Sequence, residues 1–162
     1  MTRFHTLRRE QWVPRPIEEV FAFFSDAGNL ETITPPWLGF RIVTPGPVRI
    51  AAGARIRYRL SWHGMPLSWL TEIRRWQPPS CFVDTQLKGP YALWHHTHRF
   101  KACNGGTRMS DVVRYRLPLG MLGRLVHSVK VRRDVEGVFD YRFKCINARF
   151  DGSGQPEEGR PQ

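Results

Sequence analysis

The segment ALWHHTHRF, residues 92 to 100, sets His95, His96 and His98 among aromatic and aliphatic neighbours. Imidazole titrates near neutral pH and is also a common metal ligand. The cluster therefore offers general acid–base chemistry, a metal site, or polar anchors in a pocket wall. Which of these is open to each histidine depends on where its side chain points. The segment continues as a strand, so residues two apart share a face. Arg99 and Lys101 sit on the odd face with His95 and Thr97 and would be costly to bury unpaired, so that face meets solvent. Trp94, His96, His98 and Phe100 then point inward, and His95 outward.

The neighbouring segments sort in the same way. In TRMSDVVRYRLP, Arg108, Arg114 and Arg116 mark the outer face, leaving Met109, Asp111, Val113, Tyr115 and Leu117 inside. ARIRYRLSWHG puts Ala54, Ile56, Tyr58, Leu60 and Trp62 on one face, and Arg55, Arg57, Arg59, Ser61 and His63 on the other. LSWLTEIRRW gives Trp69, Thr71 and Ile73 inside, with Glu72 and Arg74 outside. In CFVDTQLKG, Phe82, Asp84 and Gln86 oppose Val83, Thr85 and Leu87, and hydrophobicity alone favours the second set as inward.

These strands are joined by short turns rich in Gly, Pro and Asn (GMP, PPS, KGP, NGG), which predicts an antiparallel meander. Before it come a strand over residues 4 to 13 and a helix from Pro16 with Ile17, Val20, Phe21 and Phe24 on one side. A further turn in NLETITPPW and a short strand FRIV follow. After Pro118, about thirty residues without proline predict a long helix. It carries one apolar stripe of Leu122, Leu125, Val126 and Val129, and a second, rotated one of Val135, Val138, Phe139, Phe143 and Ile146, which fits either a bend or separate first turn near Gly120 and Gly123 or a straight helix with a broad apolar face. The class is α+β: a curved antiparallel sheet of about six to seven strands wrapped on a long C-terminal helix, with two short helices after strand 1. Residues 1–150 form one domain, and 151–162, poor in periodic apolar residues, read as a mobile tail.

This order, with PIEEVFAFFSDAGNLETITPPW near the start, FVDTQLKGPYALWHHTHRF in the middle and DVVRYRLPLGMLGRL before the last helix, resembles the START-like or SRPBCC superfamily over residues 4 to 150. That helix-grip group includes lipid-transfer domains, plant hormone receptors and polyketide cyclases. Within it the chain looks like the bacterial branch labelled ligand-binding or cyclase-like. The resemblance implies a cavity between sheet and last helix, and it turns Phe82, Asp84 and Gln86 inward. It also implies that TPGPVRIAAG, LKGPYA and the start of the last helix frame the mouth; turn chemistry alone also accounts for those two loops. Leu119, Met121 and Leu122 read as an apolar lip or as core.

The inner face then gathers Asp84, Gln86, His96, His98, Asp111 and Tyr115 among Trp62, Trp69, Trp94 and Phe100. Three readings stand open for this set. It is a self-satisfied network, with Asp111 accepting from an imidazole and Tyr115 capping it. Alternatively it anchors the polar end of a small hydrophobic or amphipathic molecule. Or it is a cyclase or dehydratase site, with His96, His98, Asp111 and Tyr115 as candidate catalytic groups, so enzymatic activity stays an open question. HxH with one Asp is a weak metal signal, and the expectation is no metal and no cofactor. Among motifs, GxSxG is absent, NGGT is a hairpin turn and not a phosphate loop, and no Cys stands beside a His.

A formal net charge of +11 raises an anionic partner. The basic residues, however, are spread along the whole chain without a block of five, which argues against nucleic acid as the main partner; a basic surface module for an anionic membrane or nucleic acid stays open as a third function class, with a weak anionic membrane contact as the partner expectation. Three scattered cysteines without CxxC spacing, no apolar leader and no apolar run of about 18 residues lead to the expectation of a reduced, cytoplasmic protein.

Overall fold

The computed structural model describes residues 4–118 and 124–151. Seven strands form one antiparallel sheet: β1 (His5–Val13), β2 (Arg41–Ile42), β3 (Arg55–Trp62), β4 (Met65–Gln77), β5 (Cys81–Lys88), β6 (Leu93–Cys103) and β7 (Gly106–Arg116). Their spatial order is β1-β7-β6-β5-β4-β3-β2, so β3 to β7 run as a meander and β1 returns to pair with β7. Between β1 and β2 lie α1 (Ile17–Phe24), α2 (Asn29–Thr32) and a 3-10 turn, Pro36–Leu38. The chain closes with one long helix, α3 (Arg124–Phe150). The architecture is the expected helix-grip arrangement, and among the described residues no helix is long and apolar enough to cross a membrane.

Two tight hairpins set the register of the meander. His63 and Gly64, with φ of 48° and 82°, turn β3 into β4; Asn104 and Gly105, at 52° and 73°, turn β6 into β7. Two consecutive positive φ values match the right-handed twist of the flanking strands. The first hairpin corrects the sequence reading, which placed the turn at Gly64–Pro66. β4 instead starts at Met65, and Pro66 is tolerated because β5 pairs with β4 only from Leu70 onward, leaving this end of β4 as an edge.

Side-chain alternation follows the arginine-marked faces until Arg74. There the β4–β5 ladder skips from Ile73↔Asp84 to Arg75↔Val83, so Arg74 is an extra residue, a β-bulge. Trp69, Thr71 and Ile73 point inward before it. After it Trp76 points inward as well, packing on Phe21 and Phe82.

α3 is a single helix whose buried stripe is Val131, Val135, Phe139, Arg142, Ile146 and Phe150, at steps of three and four. This departs from the sequence reading at two positions. Val129 is 52% and Phe143 39% exposed. The stripe contains an arginine where the sequence suggested a phenylalanine. Side chains of 124–128 and the proposed lip, Leu119, Met121 and Leu122, lie outside the described residues, as do the proposed bend near Gly120 and Gly123 and residues 152–162 of the tail.

The filled core lies at one end of the sheet, where α1 and the last turns of α3 bring Phe21, Phe24, Phe82, Phe100, Met109 and Ile146 together. Gln11 of β1 donates to Asn147 Oδ1 at 2.7 Å and to the Phe143 carbonyl at 3.0 Å, holding α3 down there. Asp134, nearer the start of α3, accepts at one oxygen from the Trp62 indole at 2.8 Å, and His63 lies 3.1 Å from the same oxygen. The β3–β4 hairpin is thus clasped to the helix. The three cysteines are free, with Cys81 buried and Cys103 and Cys145 half-buried.

Ile146 is 1% exposed, so Ile146→Ala should cost about 2–5 kcal/mol in urea unfolding, while Phe143→Ala should cost less than about 1 kcal/mol. Equal losses would contradict the helix orientation.

Candidate functional site: a hollow between the sheet and the last helix

Between its two anchored ends α3 packs on β1 and β7 through Val131, Val135 and Phe139, while the rest of the sheet and the helix leave a space between them. They enclose a cavity of about 1250 Å3, open to solvent, whose wall carries Trp37 and Met65, themselves 64% and 55% exposed. β3 and β4 provide much of the apolar wall. Ile50, Pro90 and Tyr91, from the two loops expected at the mouth, also line it.

The polar groups cluster on β5, β6 and β7. The register sets Asp84 directly opposite His96 and His98 directly opposite Asp111, all on the inner face. Each imidazole bonds through Nε2 to the diagonal carboxylate: His98 donates to Asp84 Oδ2 and His96 to Asp111 Oδ1, both at 2.8 Å. The Nδ1 atoms face the remaining carboxylates, at 3.1 Å for His98 to Asp111 and 3.6 Å for His96 to Asp84. The 3.1 Å contact runs off the N–H direction and is an ion-pair contact, not a hydrogen bond. The two rings lie 3.6 Å apart, and Phe82 stacks on His98 at 3.9 Å.

This four-residue ring fixes its own protonation. Burial, the largest influence, would raise both carboxyls, but at Asp84 the hydrogen bond from His98 and the positive charges of the histidines and Arg142 together outweigh it, and at Asp111 the hydrogen bond from His96, the close His98 contact and the charges of both histidines do the same. Both titrate below the ordinary carboxylate range. Burial would lower His98, yet its two carboxylate partners hold it above the usual imidazole value. His96 is pushed down, by burial first and then by the positive charge of His98 beside it. The ring therefore carries two carboxylates, an imidazolium at His98 and a neutral His96.

Asp84, His96 and His98 also place ligand-type atoms within 4.8 Å of one another. With the rings lying over one another, however, their in-plane lone pairs run side by side, whereas a tetrahedral ion needs them to converge at about 2.1 Å. The 2.8 Å contacts are those of shared protons.

Of the ten residues read as ligand-binding from sequence, Trp62, Trp69, Asp84, Trp94, His96 and His98 line the cavity. Asp111 stands behind the histidines as their counter-charge. Phe100 is in the filled core. Gln86 turns back on its own hairpin, donating to the Tyr91 carbonyl at 2.7 Å and accepting from the Tyr91 amide at 3.3 Å. Tyr115 does not cap the ring: four residues along β7 from Asp111, it stacks on His5 and packs under α3 with Val131 and Val135. His95 faces outward and is half-buried.

Tyr58 and Arg142 are among the polar groups on the wall that sequence reasoning missed. Tyr58 was read as inward but only as apolar surface. Its phenol is pushed well above the ordinary range, by burial first and then by the charge of Asp84, so it stays a donor, reaching Thr71 Oγ1 at 3.4 Å. Arg142 is only 9% exposed and projects from α3 into the cavity wall. Its signal lay in the spacing, three after Phe139 and four before Ile146.

Two predictions follow from the ring. Removing one partner of a buried ion pair leaves the other unpaired, so Asp111→Ala should cost about 3–5 kcal/mol by chemical unfolding. His98 holds its proton more tightly folded than unfolded, so its contribution is complete below about pH 6.5 and fades as pH rises through its higher folded value. His96 holds its proton less tightly when folded, so its penalty grows as pH falls below about 6.5 toward its lower folded value. Asp84 and Asp111 contribute above about pH 3.9 and lose that contribution as pH falls toward their depressed values. Stability should peak near pH ~6.5, and His98→Gln should remove the alkaline decline; a wild-type profile flat above the peak would refute the assignment.

Comparison with known proteins agrees with this architecture. No curated protein matches the chain. Among solved structures it is similar to the protein TTHA0849 from Thermus thermophilus, at 22% identity and TM-score 0.66, covering 93% of this chain and 100% of that one. Protein CV1439 from Chromobacterium violaceum superposes with TM-score 0.68 at 14% identity, over 91% and 98% of the two chains. Protein Ms6760 from Mycobacterium smegmatis does so with TM-score 0.66 at 18% identity, over 91% and 92%. These likenesses establish the shared fold. The sequence model of one family matches residues 13–141, from the end of β1 into α3 and across most of the cavity wall, and by that match the chain belongs to the polyketide cyclase / dehydrase and lipid transport family.

Proposed function

We propose that this protein binds a small hydrophobic or amphipathic molecule in the cavity between the sheet and α3. The observation that carries the reading is the hollow itself, about 1250 Å3 where a domain of this size would otherwise pack its core. Large apolar side chains on its wall, among them Leu60, Trp62 and Trp94, are only half-buried. An occupant covering them would gain about 25 cal/mol per Å2 of apolar surface removed from water. The family's description, which includes lipid transport, is in keeping with such cargo.

N-phenyl-1-naphthylamine, an uncharged probe that brightens in apolar surroundings, should bind with saturable fluorescence. Leu60→Trp, which fills part of the hollow, should weaken binding by about tenfold or more. Equal binding by wild type and the filled variant would move the probe elsewhere, and steep salt dependence with no response to the filled cavity would point to the basic exterior.

A second reading has a specific observation behind it. Asp84 lies on the cavity wall with one oxygen held by His98, so its other oxygen can accept a hydrogen bond from an occupant's hydroxyl and orient it for a cyclisation or dehydration. The imidazoles themselves have both nitrogens turned to carboxylates. Native mass spectrometry of the freshly purified protein would show any co-purified ligand. Loss of water from that ligand on incubation, abolished by Asp84→Asn, would establish turnover, and its recovery unchanged would leave binding alone.

A further inference from the structure

Two donors on the cavity wall, Arg142 Nε and Trp69 Nε1, are buried without a hydrogen-bond partner. Among the described residues Arg142 has no carboxylate oxygen within 4.0 Å of its guanidinium. Its close neighbour on the same helix is the Phe139 ring, 4.9 Å from its guanidinium carbon. An enclosed cation without a counter-ion is costly. The nearby negative charge that it feels, Asp84, is already engaged by His98 at 2.8 Å.

Across the cavity from α3, the pattern repeats with neutral donors. Tyr58 and Trp69 face each other across β3 and β4 with stacked rings 5.8 Å apart, and both line the cavity. The Tyr58 hydroxyl has only its long 3.4 Å contact to Thr71, and the Trp69 indole N–H has no partner. Buried donors are normally satisfied, and three poorly matched ones around one hollow call for an acceptor supplied from outside the chain.

Building on the binding reading above, we propose that the occupant is a monocarboxylate: its apolar body fills the aromatic end of the cavity and its carboxylate pairs with Arg142. Arg is suited to this because its planar fork meets both oxygens of a carboxylate at once. The Tyr58 hydroxyl stands on the facing wall as a further donor. An amide or alcohol of the same shape supplies an acceptor oxygen but no charge, so it leaves the guanidinium uncompensated.

The test displaces N-phenyl-1-naphthylamine with two matched pairs, decanoate against decanamide and 2-naphthylacetate against 2-naphthylacetamide, which separate an aliphatic from an aromatic acid. In the wild type the better-fitting carboxylate should compete at about ten- to a hundredfold lower concentration than its amide. Arg142→Met, of similar length and apolar, should abolish that preference, each acid being read against its own amide in the same variant, with the Tm no lower, because it removes an unpaired buried charge. Arg142→Lys should retain part of the preference. Equal competition by acid and amide in both pairs would overturn the proposal and leave the cavity reading standing. So would a preference that survives in Arg142→Met, or a drop in Tm showing that Arg142 serves the fold instead. If the neutral probe fails to bind, the acids are titrated directly by tryptophan fluorescence. Saturable, Arg142-dependent binding there would uphold the proposal, and no binding would sink both readings.

Discussion

Two carboxylates and two imidazoles, buried together on adjacent strands, hold the centre of this molecule. No member can be taken from water alone without a large penalty, and each is tolerable because the other three are in place. The register of β5, β6 and β7 makes that possible by setting Asp84 beside His96 and His98 beside Asp111, so the diagonal hydrogen bonds stitch three strands at one level. A slip of one residue in any of these ladders would strand a charge on the wrong face, so the ring specifies strand alignment as well as supplying polarity.

That constraint explains why the hollow is polar at one side and why its polar side is nearly self-contained. The imidazoles spend their nitrogens on the carboxylates, leaving few free contacts for an occupant. The groups with spare capacity are elsewhere: Arg142 on the helix, Tyr58 and Trp69 on the opposite strands, and one oxygen of Asp84. The histidines, which dominate the sequence, support the wall, while recognition falls to residues that the sequence does not advertise.

How much was legible follows from which faces carry arginine. On β3, β6 and β7, regular Arg positions mark solvent, and alternation alone put His96, His98 and Asp111 together. β5 has no such marker. Val83 and Leu87 made its polar set look exterior, and only the family resemblance turned Asp84 inward. On α3 the apolar residues are too numerous for their spacing to select one face, so Val129 and Phe143 were read as buried and Arg142 was overlooked. Tyr115 misled for another reason: parity says which side a residue faces but not how far along the strand it sits, and four residues at about 3.3 Å each carry it some 13 Å from Asp111.

The single extra residue at Arg74 has a consequence for where the hollow stops. Up to Ile73, β4 shows its odd side chains to the cavity; one residue of added length shifts the phase, and from there an even one, Trp76, is driven down onto Phe21 and Phe82. The boundary between empty and filled interior thus coincides with a backbone irregularity and not with any change in composition. Cavity depth in such a fold is a property of strand phase, set by one residue of extra length that reassigns the side chains beyond it to the other face.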